Sequence, residues 1–560
     1  MNSDKKNISL LADIFVKSGL TNIVISPGSR NAPIIISFAN RAEINAFSII
    51  DERSAAFFAL GLALNSKKTV AIACTSGSAA LNYASAISEA YYQKVPLLII
   101  TADRPSYMID IGDGQTIRQN NVFNNYIKSS YQLPLIIETK YEIEKAENLI
   151  NEALYQCMFP QPGPVHINIP FDEPLYNSTE EVVKGKLFDF ENQIIKPSIS
   201  KVQEIANRWN NSQKVMILSG QASPANELNR ILKKLSENQN TILLSETTSN
   251  LYGYNFIDTI DNVTSTIREN NIEHFKPEIL ITFGGQVVSK MIKKFLRTNK
   301  PAIHWHISPS DEKMDTYFGL TDTIVSDELE FFKSIIQQLV PVMSDYSNLW
   351  HKRKIAIEKK KAEYLSNVEY SDLKVFETIT NQLPNGTNLH LGNSTPVRYS
   401  QLFGCKKNII YNSNRGVSGI DGQISTAAGY AFNSNSLNVL ITGDLGFLYD
   451  SNGLMNKYLP NKLRIIVINN SGGGIFKFIG GPDTTPNLDE FFVTKHNWNA
   501  EYICKAFDVN YKKAHNLNEL VNTLPNFLNL KNECTEVLEI FTPYEVNGLV
   551  LREYFMFIKN

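Results

Sequence analysis

The stretch of this chain richest in chemistry joins VLITGDLGFLYD to RIIVINNSGGGIF. Asp444 follows one apolar, strand-like run, and Asn470 follows the next. A carboxylate and a carboxamide at neighbouring strand ends can share one hard cation. Mg²⁺ takes six oxygens in near-octahedral array and keeps phosphate oxygens and water among them. Asp444, Asn470 and the main-chain carbonyl of Gly472 offer three such oxygens, leaving the rest for a diphosphate and water. Gly472, Gly473 and Gly474 let the backbone come close to a phosphate, and a helix starting after them would add its positive end. The same letters also describe an ordinary strand–turn–helix with a flexible glycine turn.

A second group of residues is cationic and sits in turns. Arg30 lies in SPGSRNAP, Arg104 in TADRP, Arg398 in GNSTPVR and Arg415 in NSNRGVSGIDG. Gln115 and Arg118 sit in GDGQTIRQ, and Lys290 in GGQVVSK. Any one of them, taken singly, reads first as a surface or capping residue. Four arginines, all at predicted strand ends, point further. The planar guanidinium clamps a carboxylate through two parallel, charge-assisted bonds, each worth about 1.5–3 kcal/mol. The set predicts substrates bearing several carboxylates. Histidine informs by absence: the first in the chain is His166, so the N-terminal half-site has no imidazole for proton delivery. His304 and His306 alternate along AIHWHIS without a third ligand nearby, and read as structural.

These residues need elements to position them. The first ~180 residues repeat strand, polar turn, helix: NIVIS into SPGSRNAP, AFSII into DERSAA, VAIAC into TSGSAALN, VPLLII into TADRPS. The N-terminal segment places Ile8, Leu11, Ala12 and Phe15 on one helical face, with Gly19 as terminator. Residues 172–200 read as a linker. A second α/β unit follows, then a charged helix around 344–367 that joins domains. The last ~190 residues return to the first rhythm, and IDERSAAFFALGLAL is echoed by IDGQISTAAGYAF. The expected fold is α/β, with three doubly wound parallel-sheet domains at 1–180, 200–340 and 368–560. Ligands of such sheets sit beyond the carboxyl ends of the strands, here between the related outer domains.

Composition agrees. At 560 residues the chain exceeds one compact core, and its formal net charge of −2 argues against a dedicated nucleic-acid or membrane-surface binder. No apolar run approaches a membrane span, and the first residues lack the pattern of a secretory signal. Five scattered cysteines without a CxxC pair suit a reducing compartment. A cytoplasmic location is expected.

The Asp444–Asn470 pair resembles the GDG-to-NN motif of thiamine-diphosphate enzymes, with Leu445 where a glycine is usual. Those enzymes also need a glutamate on the aminopyrimidine ring, and Glu52 in SIIDERSAAFFALGLA stands at a strand end just before a helix. A helix-start acid favoured by the helix dipole is the simpler account, which Asp51 or Glu52 could satisfy. Taken with TSGSAALNY, TADRP, GNSTPVR, NRGVSGIDG and NNSGGGIF in order, the chain resembles the 2-succinyl-5-enolpyruvyl-6-hydroxy-3-cyclohexene-1-carboxylate synthase family of menaquinone biosynthesis over nearly its full length. In that family the motif is also written GD-Leu.

The resemblance implies a pyrimidine-binding, a central and a diphosphate-binding domain, with active sites between subunits of a homodimer or homotetramer. It implies thiamine diphosphate with Mg²⁺ or Mn²⁺ as cofactors, and 2-oxoglutarate and isochorismate as substrates. The reaction releases CO₂ and joins the four-carbon remainder to the ring by 1,4-addition. Glu52 matches the cofactor-activating glutamate; Asp444, Asn470 and Gly472 match the metal ligands. Ser29, Arg30, Arg104, Gln115, Lys290, Ser394, Arg398 and Arg415 match positions holding substrate or intermediate. Ser394, Leu445 and Gly473 join the cofactor set, Ile420 matches the apolar wedge under the cofactor, and Ile475 and Phe476 match apolar walls. Lys293 and Lys294 lie close enough to Lys290 to compete for its role. Other readings are a different thiamine-diphosphate 2-oxo acid carboligase, such as an acetohydroxyacid synthase, or a catalytically silent thiamine-diphosphate-binding protein.

Overall fold

A computed structural model describes residues 1–190, 194–477, 481 and 484–560. Among the described residues, three six-stranded sheets, each parallel throughout, organise the fold. In the first, Asn45–Ser48, Asn22–Ile25, Val70–Cys74, Leu97–Asp103, Val165–Pro170 and Ser130–Gln132 lie side by side in that order. In the last, the order is Ile410–Asn412, Asn388–Leu391, Asn438–Gly443, Leu463–Asn469, Glu536–Phe541 and Asn510–Ala514. Numbered along the chain within each sheet, both read 2-1-3-4-6-5. The faint sequence echo between the outer units is therefore a shared topology.

The central sheet reads 3-2-1-4-5-6, from Phe256–Ile257 at one edge to Asp322–Val325 at the other. This is the dinucleotide-fold order. Strands such as VAIAC and TILLS are buried along their whole length, because helices cover both faces of a parallel sheet.

Local signals are borne out where one element decides them. The first helix runs Lys6–Lys17, burying Ile8, Leu11, Ala12 and Phe15, and Gly19 follows at φ 75°. Among its described residues, the segment read as a linker holds one strand, Ser178–Thr179, which pairs antiparallel with Asn2–Ser3. The charged helix spans Tyr346–Asn367 and joins the second sheet to the third. It is not simply solvated. Trp350, Ile357 and Leu365 are buried, Lys354 pairs with Asp258 at 2.7 Å, and Arg353 donates to the Thr266 carbonyl at 2.9 Å.

The two echoing segments form helices Glu52–Ser66 and Gln423–Phe432, which pack directly against each other. Each follows the second strand of its own sheet, so they are topological counterparts. Gly61 and Gly429 allow the backbones to touch. This seam joins the first and last sheet units and sets where Glu52 stands.

Candidate active site

Strands Asn438–Gly443 and Leu463–Asn469 are neighbours, with Gly443 opposite Ile468. Asp444 and Asn470 therefore emerge at adjacent carboxyl ends. Asp444 Oδ1 accepts from the Leu445 N–H at 2.7 Å, and Oδ2 from the Gly472 N–H at 2.8 Å, which ties the two turns together. Gly472 adopts φ 142°, where a Cβ would come within 2.5 Å of the Val493 carbonyl oxygen. Only glycine fits there. The Gly472 carbonyl accepts from Gly474 N–H at 2.9 Å and retains a second lone pair.

Asn470 Nδ2 donates to the buried Asp372 carboxylate at 2.9 Å, while Asn470 Oδ1 is buried without a partner. A carboxylate can only accept, so the amide cannot flip. Its oxygen is left as a desolvated acceptor, costly unless something positive meets it. The donor set is all oxygen, which suits Mg²⁺ or Mn²⁺. Asp444, Asn470 and the Gly472 carbonyl fit the divalent ion expected from sequence.

Among the described residues the glycine turn leads into a 3₁₀ segment, Gly474–Lys477. The helix expected after it falls on residues 478–480, which lie outside the described residues. Ile475 is buried, and the Phe476 ring lies 5.8 Å from that of Phe492. His496 was not foreseen: buried, its Nε2 lies 3.3 Å from Asp444 Oδ2. The Trp498 N–H donates to His496 Nδ1 at 3.1 Å, which leaves the ring hydrogen on the nitrogen facing Asp444.

Asp51, not Glu52, caps its helix, accepting from the Arg53 N–H at 2.9 Å and the Ser54 N–H at 3.4 Å. Glu52 is thereby relieved of the simpler role. Burial, with Asp51 adding to it, raises the Glu52 pKa above the ordinary carboxylate value, so its proton is held closer to neutral pH. Next to it, Arg53 donates to the Tyr449 carbonyl at 2.8 Å and Asn452 donates to Asp51 at 2.8 Å. Both bonds reach the segment following Asp444.

The cations form two groups. In one, Arg415 is 5% exposed, donates through Nη1 to Asn393 at 2.8 Å, and has a buried Nε without a partner. Arg398 donates to the carbonyl of Ser394, which holds φ 76°, uncommon outside glycine. Burial and then Arg415 lower the Arg398 pKa, while Asp261 and Glu246 oppose. Lys293 joins them: burial lowers its pKa, Glu246 raises it, and Arg415, Arg297 and Arg398 lower it further. Lys290 is exposed at the start of helix Lys290–Thr298, one turn before. Cations this crowded and desolvated are relieved by an anionic ligand. Ile420 is half-buried in the turn before helix Gln423–Phe432.

In the other group, Arg30 is buried, donates to the Phe171 carbonyl at 2.9 Å and pairs with Glu173 at 3.2 Å. Burial and the neighbouring Arg104 lower its pKa. Arg104 pairs with Asp113 at 3.2 Å. Gln115 is exposed at φ 59°, its carbonyl accepting from Ser76 at 3.0 Å, and Ser29 is exposed. Arg118 points into solvent on Asp110. Among the described residues, no hydrogen bond or ion pair joins Glu52, Arg30, Arg104 or Gln115 to Asp444, Asn470, Arg398 or Arg415. The two groups stand apart in the described residues of one chain.

His304 and His306 share the Thr282 hydroxyl at 2.9 and 3.0 Å, and their pKa values fall to about 4 through burial. Among the described residues no cluster of three metal-ligating side chains includes them. They are structural.

Two sheets of one topology with a third between them in the chain, an aspartate–asparagine turn and a separate glutamate fit the thiamine-diphosphate class of enzymes. Residues 7–126 match "Thiamine pyrophosphate enzyme, N-terminal TPP binding domain", and 189–391 match "Middle domain of thiamine pyrophosphate". Benzoylformate decarboxylase from Polynucleobacter necessarius shares the fold, with a TM-score of 0.72 at 17% identity, covering 96% of this chain and 99% of that one.

Curated relatives narrow the class. The 2-succinyl-5-enolpyruvyl-6-hydroxy-3-cyclohexene-1-carboxylate synthase of Flavobacterium johnsoniae is 42% identical over 97% of both chains. That of Porphyromonas gingivalis is 39% identical over 100% of this chain and 98% of its own. The chain belongs to the 2-succinyl-5-enolpyruvyl-6-hydroxy-3-cyclohexene-1-carboxylate synthase family.

Proposed function

We propose that this chain catalyses the reaction for which its family is named. It decarboxylates 2-oxoglutarate and adds the four-carbon remainder to isochorismate, with thiamine diphosphate and Mg²⁺ or Mn²⁺, in menaquinone biosynthesis. The observation that carries the site reading is a free, buried Asn470 oxygen beside Asp444, on the same chain as a desolvated Arg398–Arg415–Lys293 group.

Bound thiamine diphosphate would supply the centre that stabilises negative charge after CO₂ departs. Asp444, Asn470 and the Gly472 carbonyl would hold its metal. Ser394, Leu445, Gly473 and Ile475 would line its place, with Ile420 as the apolar wedge and Phe476 as a wall. Glu52 would exchange a proton with the cofactor ring, a task favoured by its raised pKa. Arg398, Arg415 and Lys293 would hold substrate carboxylates, with Ser29, Arg30, Arg104 and Gln115 contributing from the other half-site. Lys293 is preferred to Lys290 for this role, because it is part-buried and electrostatically coupled to Arg415 and Arg398, whereas Lys290 is exposed.

The two half-sites are complete only if Glu52 of one chain meets Asp444 of another, in a homodimer or homotetramer. Exposed Ile50, Leu81, Tyr107 and Ile111, all in the unit that carries Glu52, support that arrangement. Domain boundaries at 1–180, 200–340 and 368–560 suit the three sheets. No helix among the described residues is long and apolar enough to cross a membrane, and a cytoplasmic location is part of this reading.

The direct test is CO₂ release from 2-oxoglutarate with thiamine diphosphate and Mg²⁺, with and without isochorismate, while following isochorismate absorbance. Consumption dependent on both substrates and the cofactor is expected. Decarboxylation with isochorismate untouched would move the acceptor elsewhere.

A further inference from the structure

The loop Ser413–Gly422 carries Arg415 and Ile420, yet it has no regular structure of its own between Asn412 and Gln423. Residues from all three sheet units hold it. From the first, Glu89 on helix Ala84–Gln93 accepts the Gly416 N–H at 2.6 Å and the Val417 N–H at 2.8 Å, and Gln93 donates to the Ser413 carbonyl at 3.3 Å. From the second, Gln221 donates to the same carbonyl at 2.7 Å, and Gln286 donates to the Gly416 carbonyl. From the third, Asn393 Nδ2 donates to the Asn414 and Gly419 carbonyls at 2.6 Å each, while its Oδ1 receives Arg415.

Glu89 is the only ionisable side chain bonded to the loop's main chain among these, and it is 1% exposed. The loop lies so close to its helix that a Cβ at Gly416 would sit 2.4 Å from the Glu89 carbonyl oxygen and 3.0 Å from the Gln93 nitrogen. We infer that Glu89 is a positioning residue of the active site: by chelating two consecutive N–H groups it holds Arg415 in place for a substrate carboxylate. The inference rests on the reading of Arg415 as a substrate contact.

Two consecutive N–H donors need two acceptor oxygens at once. A carboxylate supplies both; a protonated carboxyl or an amide turns one of them into a donor facing a donor. The charged groups facing Glu89 are Arg415, which favours its ionised form, and Asp421, which opposes it. Burial outweighs both and carries its pKa up to about 7. Glu89 is ionised above that pH and protonated below it, so the loop is held most firmly on the alkaline side.

The test uses the complete enzyme with cofactor and both substrates, comparing wild type, Glu89→Gln and Arg415→Ala between pH 6 and 8. Glu89→Gln is expected to raise the KM of a carboxylate substrate about tenfold, the scale of one lost charge-assisted bond. The cofactor concentration for half-activity should stay within about twofold, and wild-type KM should climb as pH falls through 7, with that rise blunted in Glu89→Gln. If Glu89→Gln does not fold, Glu89→Asp, which keeps the charge but shortens the reach to Gly416 and Val417, takes its place, and an unchanged KM in that variant overturns the inference. A raised KM in Arg415→Ala with none in Glu89→Gln also overturns it, while leaving the proposed function intact. No effect in Arg415→Ala removes both the inference and Arg415's assigned role.

Discussion

Gly429 meets Phe58 so closely that a Cβ on the glycine would stand 1.9 Å from the Phe58 carbonyl oxygen, although the two belong to different sheet units. Gly61 answers it, with a hypothetical Cβ 2.0 Å from the Thr426 carbonyl oxygen. Backbone cannot yield as a side-chain tip can. Gly429→Ala is therefore expected to destabilise by about 3 kcal/mol or more, at the upper end for overpacking. Gly114→Ala, with nothing within 4 Å, should stay within about 0.5 kcal/mol. Thermal unfolding of both variants checks this; equal midpoints would show that the helix seam is softer than it looks.

Asp372 orients Asn470. Its carboxylate accepts Asn470 Nδ2 at 2.9 Å and the Thr542 hydroxyl at 2.6 Å. Asp372→Asn permits either amide orientation and removes a neighbouring negative charge. Affinity for Mn²⁺ in the presence of thiamine diphosphate should fall about 10–100-fold, as for outer partners of metal ligands. Titration calorimetry reads it directly, and unaltered affinity would assign Asp372 to stability alone.

Glu52→Gln removes the exchangeable proton but retains size and shape. Turnover should drop about 10²–10⁴-fold, the range for a general acid–base group. Cofactor binding, followed by quenching of intrinsic fluorescence, should persist. Normal turnover would refute the assignment.

Lys293 and Lys290 differ by one helical turn; Lys293 is part-buried and electrostatically coupled to Arg415 and Arg398, whereas Lys290 is exposed. Lys293→Ala is expected to raise the KM of a carboxylate substrate about tenfold or more, a loss near 1.5 kcal/mol. Lys290→Ala should behave as wild type. The opposite ranking would restore Lys290.

His304 and His306 titrate near 4 in the folded chain against an ordinary value near 6.5. With folded pKa values depressed, they contribute stability present above about 6.5 and lost as pH falls towards 4. Glu89 and Glu246, raised to about 7, act on global stability in the opposite sense: ionising them while buried costs folding free energy as pH rises through 7, although ionised Glu89 grips its own loop more firmly. A difference between variants separates the two. His304→Gln with His306→Gln should lose less thermal stability than wild type between pH 7.5 and 5. Parallel losses would place the acid sensitivity elsewhere.

What the sequence determined by itself is local. Strand–turn–helix rhythm reports which face of each element is apolar, and turn chemistry reports where a sheet ends. Asp444, Asn470, Gly472, Glu52, Arg30, Arg104 and Arg415 sit at or just beyond such ends, so their types and spacing were legible, as was the echo between the outer units; Arg398, expected in a turn, lies instead in the short helix Thr395–Gln401. Tertiary structure decided which of these residues meet and what holds them. Glu89 reaches Gly416 across 327 positions and Asp372 reaches Asn470 across 98; no periodicity records a partner at that separation. The choice of Lys293 over Lys290 depends on how one helix docks, and His496 on how its loop folds back onto Asp444. Local propensity is written residue by residue. Burial, and the shifted charges that follow from it, exists only once the three sheets are packed.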